Sequence, residues 1–255
     1  MMPTRAPFPT VSFLGLNFHR LTMDETMNWM EGCIHKDRRP RFLCTINAAL
    51  LVWAQKDPYL KETYLSADLV TVDSNVVRYA LKCLGTPVPE ALEACQIMFE
   101  FIKRNFKKGY RFYFLGAKPE IIEKAVKTLQ ENYPGIQIAG YHDGYFDIDA
   151  TLQIAQAIKN AKPDCLFVGM SSPLKEQFLQ KYLSVMEIPI SLGVGGGIDI
   201  LAGQYRWAPA WVRKAGLAWL YRLLSEPKRM WKRYLTTNTL FLWLFFKTLI
   251  RKAFA

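Results

Sequence analysis

Six short apolar runs punctuate the chain up to residue 194, and a stretch of helical length separates each from the next. The runs are FLCTI (42–46), LVTV (69–72), RFYFL (111–115), IQIAGY (136–141), CLFVGM (165–170) and ISLGV (190–194). They are nearly continuous in apolar character rather than alternating, the pattern of strands covered on both faces. Amphipathic stretches near 22–35, 48–55, 58–66, 75–84, 90–107, 118–132, 149–161 and 173–185 fill the rest. Thr22, with Glu25 three residues on, makes a capping box for the first of these helices. The alternation predicts an α/β fold, a Rossmann-like and mostly parallel sheet flanked by helices.

Ligands of such sheets bind beyond the carboxyl ends of the strands, so the loops leaving each strand carry the chemistry. TVDSN (71–75) places Asp73 directly after a strand. A carboxylate there can take a proton from a substrate hydroxyl, or it can cap the next helix. TIN (45–47) leaves the neighbouring strand and adds Thr45 and Asn47 as hydrogen-bonding groups. LGVGGGIDILAG (192–203) lets Gly195, Gly196 and Gly197 bring backbone amides close to a phosphate or a base. It is neither GxGxxG nor a P-loop, and a tight turn without a ligand explains it equally well. FLGAKP (114–119), with Lys118 at a helix N-terminus, carries the same two readings. YHDGYFDID (141–149) holds one His and three Asp, but its spacing fits no zinc or calcium motif, and turn and capping roles explain it. GMSSP ends in proline and is no nucleophile elbow.

Charge divides the chain unevenly. From Arg206 onward there are eleven Lys or Arg and one acid, Glu226, whereas the first 205 residues carry a net charge of +1. The expected organisation is a 1–203 α/β domain and a 204–255 basic, aromatic, helical appendage. Such asymmetry points to an anionic partner for the tail, either nucleic acid or acidic lipid. No nucleic-acid-binding module precedes the basic run, which disfavours the first. Arg222, Arg229 and Arg233 are spaced to share one helical face. Ser225-Glu226-Pro227 breaks that helix, with Ser225 as the expected cap of a new one. Guanidinium forks suit phosphate oxygens. Trp211, Trp219, Trp231 and Trp243 suit the headgroup level of a membrane. The apolar run TLFLWLFFKTLI (239–250) is too short to span a bilayer, which takes about 20 residues. It reads as an interfacial or buried helix. The N-terminal MMPTRAPFPT lacks the apolar core of a signal peptide. Five scattered cysteines without a CxxC pair offer no metal site and no disulfide framework.

Ordered segments then carry a resemblance. TIN (45–47), SADLVTVDS (66–74), LGTPVPE (84–90), FLGAKPE (114–120), GYHDGYF (140–146), KPDCLFVGMSSP (162–173), GVGGGIDILAG and GLAWLYRLLSEPKRMWKRY occur in the order of the WecG/TagA/CpsF glycosyltransferases, which the chain resembles from about Thr10 to Tyr234. The resemblance implies an inverting transfer, without metal or other cofactor, of an N-acetylmannosamine-like sugar from a UDP-sugar. The implied acceptor is a sugar on a polyprenyl diphosphate, used in bacterial polysaccharide or teichoic acid synthesis. Asp73 matches the proposed base, with Thr45 beside it. Asn47, Lys175, Gly195, Gly196, Gly197, Asp199, Arg222 and Arg229 form the candidate donor-binding set. The implied location is peripheral, on the cytoplasmic face of the plasma membrane, reached through the appendage. Homo-oligomers at the sheet edge are common in the family, and no nucleic acid partner is implied.

Departures concentrate at the expected crevice. Ser74 stands where the family usually has Gly, Ala91 where it has Arg, Gln96 where it has Asp, and Lys175 where it has Gln. Trp207-Ala208-Pro209 replaces Arg-Ala-Pro, with Arg206 one residue earlier. Two expectations follow. One is a rearranged donor pocket, and the other is a catalytically inactive member that serves as a binding scaffold.

Overall fold

The chain enters the fold through a hairpin that the apolar runs do not announce. The computed structural model of the protein describes residues 6–254, with the side chains of residues 148 and 229 outside that description; residues 1–5 of the N-terminal segment are likewise outside it. Strands β1 (Thr10–Phe13) and β2 (Leu16–His19) pair antiparallel. The turn between them puts Leu14 and Gly15 at φ 51° and 75°. That geometry favours Asn-Gly or Gly-Gly, so Leu-Gly gives a weak hairpin signal. Helix α1 (Met23–His35) follows, and both halves of the Thr22–Glu25 capping box form.

The six apolar runs become β3 (Phe42–Ile46), β4 (Leu69–Val72), β5 (Arg111–Gly116), β6 (Gln137–His142), β7 (Cys165–Gly169) and β8 (Ile190–Gly193). They form one parallel sheet in the order β4-β3-β8-β7-β5-β6. Successive residues point to opposite faces, and two separate cores result. Cys44, Ile46, Val70, Val72, Leu166 and Val168 belong to one, and Leu43, Leu69, Phe112, Phe167, Ile190 and Leu192 to the other. Each such aliphatic side chain stabilises the fold by about 1.5–3 kcal/mol. At the free edge of β4, His19 Nδ1 accepts the Val70 amide at 3.0 Å, so the hairpin covers that edge.

The connecting helices are α2 (Ala48–Ala54), α3 (Pro58–Ser66), α4 (Asn75–Cys83), α5 (Ala94–Asn105), α6 (Pro119–Asn132), α7 (Thr151–Asn160) and α8 (Leu174–Met186). Helix α5 begins four residues later than its periodicity suggests. Residues 85–93 run instead as a loop containing Pro87 and Pro89, tied back by Leu92 N–H to Val72 O at 2.7 Å. His142 and Asp143 are occupied within their own turn: Asp143 accepts the Tyr145 amide at 2.8 Å.

After β8 the chain is helical: α9 (Gly197–Leu201), α10 (Ala210–Lys214), α11 (Ala218–Ser225) and α12 (Pro227–Ala253). The break at 225–227 is where the sequence placed it, with Pro227 in the first turn of α12. Ser225 does not cap that helix. Its hydroxyl donates to Tyr221 O at 2.9 Å, and Glu226 takes the cap position without a side-chain bond. Helix α12 has 27 residues, about 40 Å of length. One face packs on α2 and the hairpin through Phe241, with Leu240, Leu244, Phe245 and Leu249 partly covered. Phe241 meets Phe13 edge to face at 6.3 Å. The opposite face leaves Trp231, Leu235, Leu242, Trp243, Phe246 and Ile250 exposed. Among the described residues no helix is long and apolar enough to cross a membrane.

Candidate active site

Strand β4 delivers Asp73 to the carboxyl edge of the sheet, where its amide donates to Ile46 O at 3.0 Å. The half-buried carboxylate is held from several sides. Oδ1 accepts the Ala94 amide at 2.9 Å and Oδ2 accepts Asn47 Nδ2 at 3.3 Å. Asp73 therefore caps a helix, as one reading of the sequence expected, but that helix is α5, 21 residues on. The N-cap of α4 is Ser74, whose hydroxyl is buried with no partner among the described residues. Burial pushes the Asp73 carboxyl above the usual range. The hydrogen bonds from Ala94, Asn47 and Thr45, and the charge of Lys175, pull it part of the way back. A carboxylate more basic than usual, anchored yet half-exposed, is suited to accept a proton.

Asn47 does two jobs at once. Its Oδ1 accepts the Leu50 amide and caps α2, which fixes the side chain so that Nδ2 points at Asp73. Thr45, on β3 and paired in register with Thr71, is buried beneath them. β3 and β8 are sheet neighbours. The connections that leave them go to opposite faces of the sheet, as at the ligand crevice of open α/β sheets.

β8 supplies the second wall. Gly195 has φ 50°, a conformation in which any side chain is strained. A Cβ on Gly196 would lie 3.4 Å from Arg222 Nη2 and 3.9 Å from Asp199 Oδ2, so the arginine from α11 rests on the glycine turn. Gly197 is needed for packing instead, since a Cβ there would meet Met98 at 3.0 Å. Its amide already donates to Val194 O. Arg222 stays partly open, with Glu226 at 3.7 Å as a loose partner. Residue 229 lies on α12, with its side chain outside the description.

Lys175 is brought near but is not free. Its ammonium bonds Glu176 Oε1 at 2.5 Å and also Ser172. Its stem lies over Gly193, where a Cβ would come within 3.0 Å of it. Glu176 in turn accepts from Tyr64 at 3.2 Å and from Ser172 at 2.9 Å. The charge gained at 175 is thus balanced by its own neighbour.

Two site residues escaped the sequence reading, Glu93 and Arg213, while Trp207 was singled out only as a departure from the family's Arg-Ala-Pro. Arg213 lies flat on the Trp207 ring at 3.9 Å and reaches Gln96 at 3.4 Å. Its Nη1 lies 3.7 Å from Glu93, to which Trp207 Nε1 donates at 3.2 Å. A cation from the C-terminal segment therefore stands beside Gln96, one of the positions where this chain departs from the family it resembles. Burial, then the Asp73 charge, raise the Glu93 carboxyl to about 7, against the pull of Arg213 and Trp207. Asn75 and Tyr79 of α4 complete the docking by donating to the carbonyls of Arg213 and Lys214 at 2.7 and 2.6 Å. An acid directly before an apolar helix reads as an ordinary cap, and Arg213 as one tail cation among many.

A parallel sheet with a basic carboxylate, an arginine and a glycine turn gathered at one end defines an α/β enzyme of the group-transfer class. The chain belongs to the glycosyl transferase WecG/TagA/CpsF family, whose sequence model matches residues 11–254, and it is a glycosyltransferase. Relatives include N-acetylglucosaminyldiphosphoundecaprenol N-acetyl-beta-D-mannosaminyltransferases from three bacteria. The Bacillus spizizenii protein is 30% identical over 221 residues, covering 87% of this chain and 85% of its own. The Bacillus subtilis protein is 31% identical over 194 residues, 76% and 75% of the two chains. The Staphylococcus aureus (strain MW2) protein is 29% identical over 221 residues, 86% of each.

Proposed function

We propose that this protein transfers an N-acetylmannosamine-like sugar, with inversion, from a UDP-sugar to a sugar carried on a polyprenyl diphosphate. The acceptor hydroxyl gives its proton to Asp73 as its oxygen attacks the anomeric carbon. The bond from that carbon to the diphosphate breaks, and UDP leaves with the electron pair. Arg222 and the amides of the Gly195–Gly196 turn meet the charge that grows on the leaving phosphate, the kind of stabilisation that contributes most to many enzymes. Arg229 joins them by family resemblance. Thr45 and Asn47 hold the base in place, and Lys175 acts through its field on Asp73. Residues 1–203 do the chemistry, while 204–255 close the donor site and rest on the membrane. In this reading the enzyme is peripheral, at the cytoplasmic face, and needs no metal. The scaffold alternative has less support, since the relatives are named as transferases and this chain keeps Asp73, Asn47 and the Arg222-covered glycine turn.

The carrying observation is that Arg222 rests on the Gly196 turn, beyond the carboxyl end of the same sheet that presents Asp73. The test incubates purified protein with UDP-N-acetylmannosamine and N-acetylglucosaminyl diphosphoundecaprenol in detergent micelles containing EDTA. Transfer that inverts the anomeric centre and disappears in Asp73→Asn supports the proposal. Absence of transfer from any UDP-sugar supports the scaffold instead.

A further inference from the structure

Away from the glycine turn, three cations surround a second concavity that the proposed chemistry does not use. Arg20, just after β2, meets Arg78 and Lys82 of α4 around a cavity of about 300 Å³ whose rim is Pro87 and Pro89. None of the three cations enters a salt bridge among the described residues. Helix α4 contains no acid. The nearest acid of the loop, Glu90, is turned away to accept the Met23 amide at 2.8 Å. Arg78 is pre-positioned, because its Nε reaches the Val88 carbonyl at 3.5 Å and leaves the two terminal nitrogens of the fork for a ligand. Arg20 and Lys82 are exposed and Arg78 partly so, which leaves all three open to an anionic ligand, and guanidinium forks match phosphate oxygens.

Two neighbours say what kind of phosphate. First, α4 begins two residues after Asp73, and Arg78 and Lys82 lie about 5 and 10 Å along its axis from Asn75. That is the scale of a single sugar between a reacting hydroxyl and the phosphate that carries it. Second, the last turns of α12 arrive beside the same helix end. Lys252 donates to Leu84 O, and a Cβ on Gly85 would lie 3.6 Å from its Nζ. Around Lys252, Phe246, Ile250 and Phe254 are exposed apolar side chains suited to a lipid surface.

We infer that Arg20, Arg78 and Lys82 form the docking pocket for the diphosphate of the lipid-linked acceptor, separate from the donor diphosphate site at Arg222. The inference rests on the acceptor class proposed above. Arg20→Ala and Lys82→Ala are exposed changes that leave the core intact, and Arg78→Lys tests the fork. The double variant Arg20→Ala/Lys82→Ala should raise the KM for N-acetylglucosaminyl diphosphoundecaprenol about tenfold or more, with the KM for the UDP-sugar unmoved. An unchanged acceptor KM, or an equal rise in both constants, overturns it. Flotation separates the sources of phosphate without needing turnover. Wild type should bind phosphatidylglycerol vesicles more tightly when they contain undecaprenyl diphosphate, and the double variant should lose that increment only. Equal loss on plain phosphatidylglycerol vesicles would make the pocket a general headgroup contact and overturn the acceptor assignment. If the wild type transfers no sugar but keeps the diphosphate increment, the proposed reaction fails while the pocket stands.

Discussion

The body and the appendage of this enzyme use the same residue types for opposite ends. In the body several cations are neutralised by acids on neighbouring turns or elements: Arg104 with Asp24 and Glu100, Lys108 with Glu31, Arg38 with Asp164. These are surface pairs of small energetic worth. In the last 50 residues eleven cations share one acid, and the docked ones reach into the body, Arg213 to Glu93 and Arg222 to the Gly196 turn. Apolar residues divide the same way. Of sixteen exposed large hydrophobic side chains among the described residues, ten lie beyond residue 206. So outside the Arg20–Arg78–Lys82 concavity the body largely satisfies its own charges, whereas the appendage carries charge and apolar surface that something else must satisfy. The body should then hold the proton chemistry, and the appendage should govern what the body meets.

The largest test of that division is Asp73→Asn. It should lower kcat by about 10²–10⁴-fold, while UDP affinity and melting temperature stay near wild type, because Asn can still accept the Ala94 amide. Retained turnover would place the base elsewhere. Arg222→Ala comes next. Losing charge-assisted hydrogen bonds to the departing phosphate costs about 1.5–3 kcal/mol, roughly 10–100-fold in kcat/KM. Arg222→Lys should recover only part, since a point charge does not reproduce the fork. Full recovery by lysine would reduce the appendage to a diffuse field.

What the sequence revealed follows from how local each feature is. The strands were legible because a strand buried on both faces must be apolar throughout, and β3 to β8 fall within two residues of their expected bounds. The β1–β2 hairpin was not, because Leu14 occupies a left-handed turn position that the sequence gives no reason to expect. The start of α5 was misplaced because its first amide is satisfied by Asp73, a partner 21 residues back. Asp73, Asn47 and Gly196 were visible as strand-end residues. Glu93 and Arg213 were invisible, because their meaning comes from a contact 120 residues apart. Lys175 was placed in the donor-binding set as a cation replacing the family's Gln, and only the packing reveals that Glu176 balances it.

A third test sharpens the apolar half of the comparison. Deleting the tail from Thr236 would be uninformative, since Thr237 and Phe241 are buried against the body and their loss would expose its core. Trp243 and Phe246 are 55% and 53% exposed, so Trp243→Glu with Phe246→Glu leaves the fold alone. Each ring is able to bury about 1.5–3 kcal/mol of apolar surface in lipid, and vesicle flotation should weaken by about tenfold or more with the melting temperature unchanged. Equal flotation would show that this face of α12 is not what meets a vesicle, since the two glutamates remove apolar surface and positive potential together.

The smallest effect lies at the seam between the two regions. Glu93 has a carboxyl raised to about 7 in the folded protein against an ordinary 4.5. Between those values the folded state binds more protons than the unfolded one, so this group makes stability fall as pH rises from about 4.5 to 7 and adds no further slope above. Gln at 93 keeps the acceptor for Trp207 but cannot ionise. Glu93→Gln should therefore melt like wild type near pH 4.5 and about 2–4 °C higher near pH 8, the shift that about 1 kcal/mol produces in a chain of this size. The opposite sign, with the variant melting lower at pH 8, would mean that the ionised Glu93 holds Arg213 more strongly than burial opposes it. The appendage would then be latched to the body by that ion pair, and its closure over the donor would tighten as pH rises.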